Sequence, residues 1–439
     1  MGKYNPLAIE LNEIIEKQSP TLFSLLSELG KRIFFPKGVI TQSNEAKKYA
    51  KAYDATIGIA TQNKKAMSLA CVQDCFSSDF DPDELFPYAP SRGVTKLREF
   101  WKDKIKQENP KTREQSFGLP IITTGISHGL SIVGELFFNP GDIVISPDKY
   151  WGNYRFLWIA KLGVDFQEFP MLDNELKRFN FEEFERMLSR HVGKKQNIIF
   201  NFPNNPTGYS LTSNEAAKIR ETLIRFAKEG SKFVVICDDA YFGMVWEDHV
   251  MKESLFSYLA DAHENIITFK VDGATKEGFM WGFRIGFITS GMKGLSSEAY
   301  EALETKIAGS IRSTISNSSL PAQNIMLKAF NHEDFQKQIA EKKIILKDRY
   351  LEIKKHTQDP RYSQYWDVYA CQSGYFICLR LKGVEAEPLR KHLLMKYGVG
   401  VVSSARHDIR IAYSCLEKEH IAEMVLLTSQ AVKDLQVGA

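Results

Sequence analysis

NIIFNFPNNPTG (197–208), FVVICDDAY (233–241) and NIITFKVDGATK (265–276) follow one plan: an apolar, β-rich run ends abruptly in groups that can bind or react. Each run is too short for a helix and too uniformly apolar for a strand with one wet face, so each reads as a strand buried on both sides. Working outward, IITTG, DIVISP, VDFQEF and FRIGFIT repeat the pattern between Ile121 and Ser290, giving seven candidate strands. Amphipathic stretches separate several of them. The clearest spans Thr212 to Glu229, where Thr212 and Glu215 form a capping box and Gly230 supplies the stop. Strand–helix alternation predicts an α/β fold, a mostly parallel seven-stranded sheet flanked by helices. Such a sheet binds its ligand beyond the carboxyl ends of its strands.

After Gly291 the pattern turns to long helical stretches broken at SNSSLP (316–321), then to YACQSGYFICLRL, VGVVSS and DIRIAYS. This predicts a smaller α+β domain over 321–439, completed by an N-terminal segment over 1–75, with the large domain over 76–320.

The composition sets limits. The 439 residues are 44% hydrophobic and 25% charged, as in ordinary globular proteins, and 57 basic against 54 acidic residues leave +3, with no basic block to suggest nucleic acid as a partner. Six cysteines are too sparse for a disulfide scaffold, the nine histidines form no HExxH helix, and no zinc or other metal site is legible. No uncharged apolar run is long enough to cross a membrane, and the first residues do not read as an export signal. A cytoplasmic protein with no membrane partner is expected.

Gly125-Ile126-Ser127-His128-Gly129 follows the first strand. It matches the elbow that presents a nucleophilic serine in hydrolases, and equally a phosphate cradle of glycine, backbone N–H groups and a hydroxyl at a helix start. The motif alone leaves both open, along with a ligand-free turn. The later strand ends add Asn205, Asp238 with Tyr241, and Thr275 with Lys276; Gly282-Phe283-Arg284-Ile285-Gly286 adds a guanidinium between glycines. Amine, acid, amide, phenol and cation together are what a phosphorylated heteroaromatic aldehyde needs.

These motifs, in this order and spacing from about Tyr88 to Arg410, resemble the class I pyridoxal 5′-phosphate aminotransferases of fold type I, the aspartate aminotransferase-like family. The resemblance implies that Lys276 joins the cofactor aldehyde and shuttles the substrate proton. It assigns Asp238, rather than its neighbour Asp239, to the ring nitrogen, and Asn205 and Tyr241 to the ring oxygen. Trp151 is to stack on the ring; the backbone N–H of Ile126, with Ser127, Thr275 and Arg284, holds the phosphate. Tyr88 would reach the phosphate of a neighbouring subunit, which implies a homodimer. Arg410 matches the arginine for the substrate α-carboxylate, beside Asn205. Arg312, four residues before Ser316-Asn317, matches the arginine that reads a distal carboxylate across the interface. For Trp151, Tyr88, Arg410 and Arg312 the plainer readings are a packed or loop aromatic and a surface guanidinium.

Two departures stand out. Gly273 occupies the place of a phosphate-contacting serine, for which Thr275 could substitute, and Ala60 in Gly58-Ile59-Ala60-Thr61 replaces a common glycine. The expected activity is amino transfer between an amino acid, aspartate or another dicarboxylate by preference, and a 2-oxo acid such as 2-oxoglutarate. Rival readings are an aromatic or other amino acid as donor, a pyridoxal-phosphate lyase or decarboxylase, a non-catalytic pyridoxal-phosphate-binding protein, and a serine hydrolase through Ser127.

Overall fold

A computed structural model describes residues 4–35, 38–77 and 79–437. All seven candidate strands form: β1 (Ile121–Thr123), β2 (Ile143–Pro147), β3 (Asp165–Phe169), β4 (Lys195–Asn201), β5 (Lys232–Asp238), β6 (Ile266–Asp272) and β7 (Gly286–Met292). They make one sheet in the order β1-β7-β6-β5-β4-β2-β3. Strands β4 and β5 are buried along nearly their whole length, as expected of strands covered on both faces. The helix Ser213–Lys228 closes with the anticipated box: Glu215 N–H donates to Thr212 Oγ1 at 3.2 Å, and Thr212 N–H to Glu215 Oε2 at 2.8 Å.

Register decides where the chemistry can gather. Asn201 pairs with Asp238, and Asp238 with Val271, so the carboxyl ends of β4, β5 and β6 lie level on one rim. Strand β7 alone runs antiparallel to its neighbours, pairing Gly286 with Thr123 and Phe287 with Asp272. Because β7 is reversed, its leading end meets that rim, and the residues before it, Arg284 among them, are delivered to the place where the other strands end.

A second sheet, β8 (Trp366–Val368), β9 (Phe376–Leu381), β10 (Val402–Ser403) and β11 (Asp408–Ala412), is antiparallel in the order β8-β9-β11-β10. The N-terminal segment lies against it, in a separate two-stranded pairing. Tyr53–Asp54 pairs in parallel with Val399–Gly400, and Ala412 N–H donates to Ala55 O at 2.9 Å. Helix Phe335–Thr357 packs on the helix Ile421–Val437. Among the described residues no helix is long and apolar enough to cross a membrane.

Candidate active site

A cavity of about 270 Å³ opens on the shared rim, between the large sheet and β9 and β11. Ile126, Ser127, Trp151, Asn205, Asp238, Tyr241, Thr275, Lys276, Arg284 and Arg410 line it; Tyr88 and Arg312, also singled out from the sequence, do not.

At its floor are Asp238, ending β5, and Lys276, on the short turn Ala274–Glu277 that follows β6. Asp238 is buried; its Oδ1 accepts Ala240 N–H at 3.0 Å and its Oδ2 accepts the hydroxyl of Tyr154. Burial raises the carboxyl's pKa, while the Tyr154 hydroxyl, the Lys276 charge and the Ala240 N–H pull it back. Lys276 Nζ lies 4.9 Å from the Tyr241 ring centroid, and the residue's carbonyl accepts the Tyr375 hydroxyl at 3.1 Å. Desolvation lowers the lysine to about 8, with Asp238 opposing and Arg284 assisting the drop, so the neutral amine, though still the minor form near neutral pH, is far more abundant than in a free lysine. Asp239 belongs elsewhere. Strand alternation turns it to the other face, where it accepts Ser254 Oγ at 2.6 Å and pairs with Lys270.

The other end of the cavity is built for an anion. Gly125, at φ +77°, turns the chain into helix Ile126–Phe137, which carries no side-chain cap, so its first N–H groups are available. A Cβ at Gly125 would lie 2.3 Å from Arg284 Nη2; glycine alone lets the guanidinium close on the helix start. Three buried polar atoms on the cavity's lining residues find no partner in the protein: Thr275 Oγ1, Trp281 Nε1 and Arg410 Nε. An amine with a lowered pKa, a buried carboxylate and spare donors beside a helix start fit a phosphorylated aromatic aldehyde.

The remaining wall comes from the smaller sheet. Arg410, on β11, donates from Nη1 to Asn205 Oδ1 at 3.0 Å and from Nη2 to Thr56 O at 2.7 Å, with its Cζ 4.1 Å from the Phe376 ring centroid. Gly58 borders the cavity, whereas Ala60 is fully buried and does not. This loop is fastened from behind. Ser414 Oγ donates to Ile59 O at 2.8 Å, and Arg349 Nη1 donates to Thr61 O at 2.6 Å and Ser414 O at 2.8 Å, while its Nη2 pairs with Glu417.

Tyr88 is 91% exposed, and Arg312 is exposed with its guanidinium on the Ser316 hydroxyl. Neither meets this chain's cavity. His128, next to Ser127 in the chain, has its ring nitrogens turned elsewhere, toward Thr124 N–H at 3.2 Å and Thr314 Oγ1 at 3.5 Å. Sequence reasoning passed over Tyr154, Trp281 and Arg349. Tyr154 stands three residues after Trp151 in the polar stretch past β2, which could have flagged it; Arg349 betrays itself only as a cation on the buried stripe of a helix. Among the described residues no group of His, Cys, Asp and Glu side chains could hold a metal ion.

The family model for aminotransferases of class I and II matches residues 63–425. A probable aspartate/prephenate aminotransferase of Aquifex aeolicus is 30% identical over 202 residues, 46% of this chain and 48% of its own. An aspartate aminotransferase of Thermotoga maritima is 30% identical over 209 residues, 47% and 50%. The chain thus spans about half the length of the curated relatives it matches. A solved aminotransferase from Anaerococcus prevotii superposes with a TM-score of 0.80 at 22% identity, covering 93% of this chain and 99% of that one. The fold is shared across nearly the whole molecule.

Proposed function

Because the chain belongs to the class I and II aminotransferases, we propose that it transfers an amino group between an amino acid and a 2-oxo acid, with pyridoxal 5′-phosphate held at Lys276. The observation that carries this is one cavity holding a lysine lowered to about 8, a buried carboxylate behind it and a fixed guanidinium opposite. When bound, the cofactor supplies a cationic ring that stabilises negative charge at the substrate carbon.

The residues have separate tasks. The Lys276 amine, neutral in part at physiological pH, would be the attachment point for the cofactor's aldehyde and the group that carries a proton from and to the substrate carbon. Asp238, whose burial raises its pKa against the pull of the Tyr154 hydroxyl, the Lys276 charge and the Ala240 N–H, would face the ring nitrogen and favour its protonated form. Asn205 keeps its amide nitrogen for the ring oxygen because Arg410 occupies its Oδ1. Trp151 would stack on the ring, and the Tyr241 hydroxyl would join Asn205 at the ring oxygen. Arg284, Ser127, Thr275 and the N–H of Ile126 receive the phosphate. Arg410 grips the α-carboxylate, as a planar guanidinium can do bidentately.

Aspartate or another dicarboxylate, with 2-oxoglutarate as acceptor, is the preferred pair in this reading. The names of the relatives, matched over about half their length, favour it, and so does Arg312, provided a second copy of the chain brings that residue and Tyr88 to the cavity as a homodimer. Borohydride reduction followed by peptide mapping tests the centre: a pyridoxyl label on Lys276 is expected, and its absence there sinks the proposal. For the substrate, Arg312→Ala should lower kcat/KM for aspartate by about tenfold or more while sparing phenylalanine, as loss of a charge-assisted hydrogen bond predicts. An unchanged ratio between the two removes Arg312 from that role.

A further inference from the structure

We propose that the indole N–H of Trp281 donates a hydrogen bond to the phosphate of the cofactor, replacing a hydroxyl that position 273 cannot carry; this rests on the pyridoxal-phosphate reading given above. A Cβ at Gly273 would lie 2.5 Å from Ile285 O and 2.9 Å from Gly286 Cα. Both obstacles are backbone of the neighbouring strand and cannot step aside as a flexible side chain would. No serine fits where β6 and β7 close together at this point. The phosphate end therefore has no side-chain donor at the position after β6, for a reason built into the strand pairing.

Five residues after Lys276, Trp281 opens the single turn Trp281–Phe283 that leads to Arg284. Its Nε1 is buried and unpartnered although the residue lines the cavity. The ring is steadied by Phe279, edge to face at 5.7 Å between centroids. Its carbonyl faces Arg284 Nη1 at 3.5 Å, and Arg284 in turn closes on Gly125 at the helix start. Trp281 thus belongs to the anion-binding end. An indole nitrogen can only donate, so its partner must be an acceptor, and among the candidates for this cavity the phosphate oxygens are the strongest. The unpartnered hydroxyl of Thr275 stands in the same wall.

The test compares two aldehydes that differ only in the phosphate. Apoenzyme of the wild type, Trp281→Phe and Trp281→His is titrated with pyridoxal 5′-phosphate and separately with pyridoxal, following the absorbance of the bound aldehyde. In Trp281→Phe the phosphorylated aldehyde should bind about tenfold more weakly, the scale of one hydrogen bond to a charged group, with pyridoxal unaffected. Trp281→His, which restores a ring N–H, should recover part of the loss. Loss of affinity for both aldehydes alike, or for neither, overturns the donor role while leaving Lys276 as the attachment point. A wild type that takes up neither aldehyde overturns the parent reading and this one with it.

Discussion

Asp238 and Asp239 are chain neighbours at the end of β5, and each stands near a lysine contributed by β6 or the turn after it. On one face Lys270 is enclosed by Asp239 and by Asp272, the latter at 3.2 Å and itself bound by Trp101 Nε1 at 3.1 Å. Two carboxylates outweigh burial and hold that lysine's pKa above the ordinary value. On the other face Lys276 has burial without an ion pair among the described residues, and desolvation takes its pKa down to about 8; the Asp238 charge opposes that drop and the Arg284 charge adds to it. Amino acid type is the same at both places. Pairing holds the first lysine as a cation, and incomplete pairing leaves the second with the lowered pKa that the proposed role requires.

The contrast is broken most directly at Lys270. Lys270→Met leaves two buried carboxylates without their cation, and chemical denaturation should show a loss of about 3–5 kcal/mol. Where the protein still folds, aldehyde uptake at Lys276 should persist; loss of uptake with stability intact would erase the division between the faces. A smaller effect follows from pH. Between about 8 and the unfolded value of 10.5, the unfolded chain holds a proton at Lys276 that the folded chain has released. Stability of the apoprotein should therefore rise with pH across that window, by at most about 1.4 kcal/mol per unit from this group. Lys276→Met should flatten that rise in denaturation curves collected across the window. The gentlest probe is Tyr154→Phe. Losing the hydroxyl raises the Asp238 pKa further, so the acidic limb of the pH–rate profile should move upward, with turnover reduced by about tenfold. An unmoved limb would mean that Tyr154 does not tune Asp238.

The sheet was readable because β2 and β4 to β6 are apolar runs that end in polar clusters, and that pattern survives without coordinates. The direction of β7 was not, since FRIGFIT looks the same whichever way it runs, and only pairing to Thr123 and Asp272 reverses it. Residues just past strand ends reached the cavity as expected because strand direction carried them there. Choosing Asp238 over Asp239 needed the family motif, while the sheet's alternation explains it physically. Tyr154 and Trp281 escaped notice for another reason: each matters through one polar atom whose partner, or lack of one, is set by distant chain. Gly273 shows the same limit. A missing serine looks like a defect in sequence, whereas the backbone of Ile285 and Gly286 makes it a steric necessity.

Arg349 extends this to inheritance. Its buried guanidinium clasps the loop beside Gly58, the turn after β11 and Glu417 at once, although these lie far apart along the chain. A loop transplanted from a relative would bring new side chains to the substrate but leave behind the helix that clasps it. Under the proposed reading, in which the cavity beside Gly58 receives the amino acid, specificity should be exchangeable as a block spanning three stretches of chain, and exchange of the loop alone should broaden the substrate range rather than redirect it.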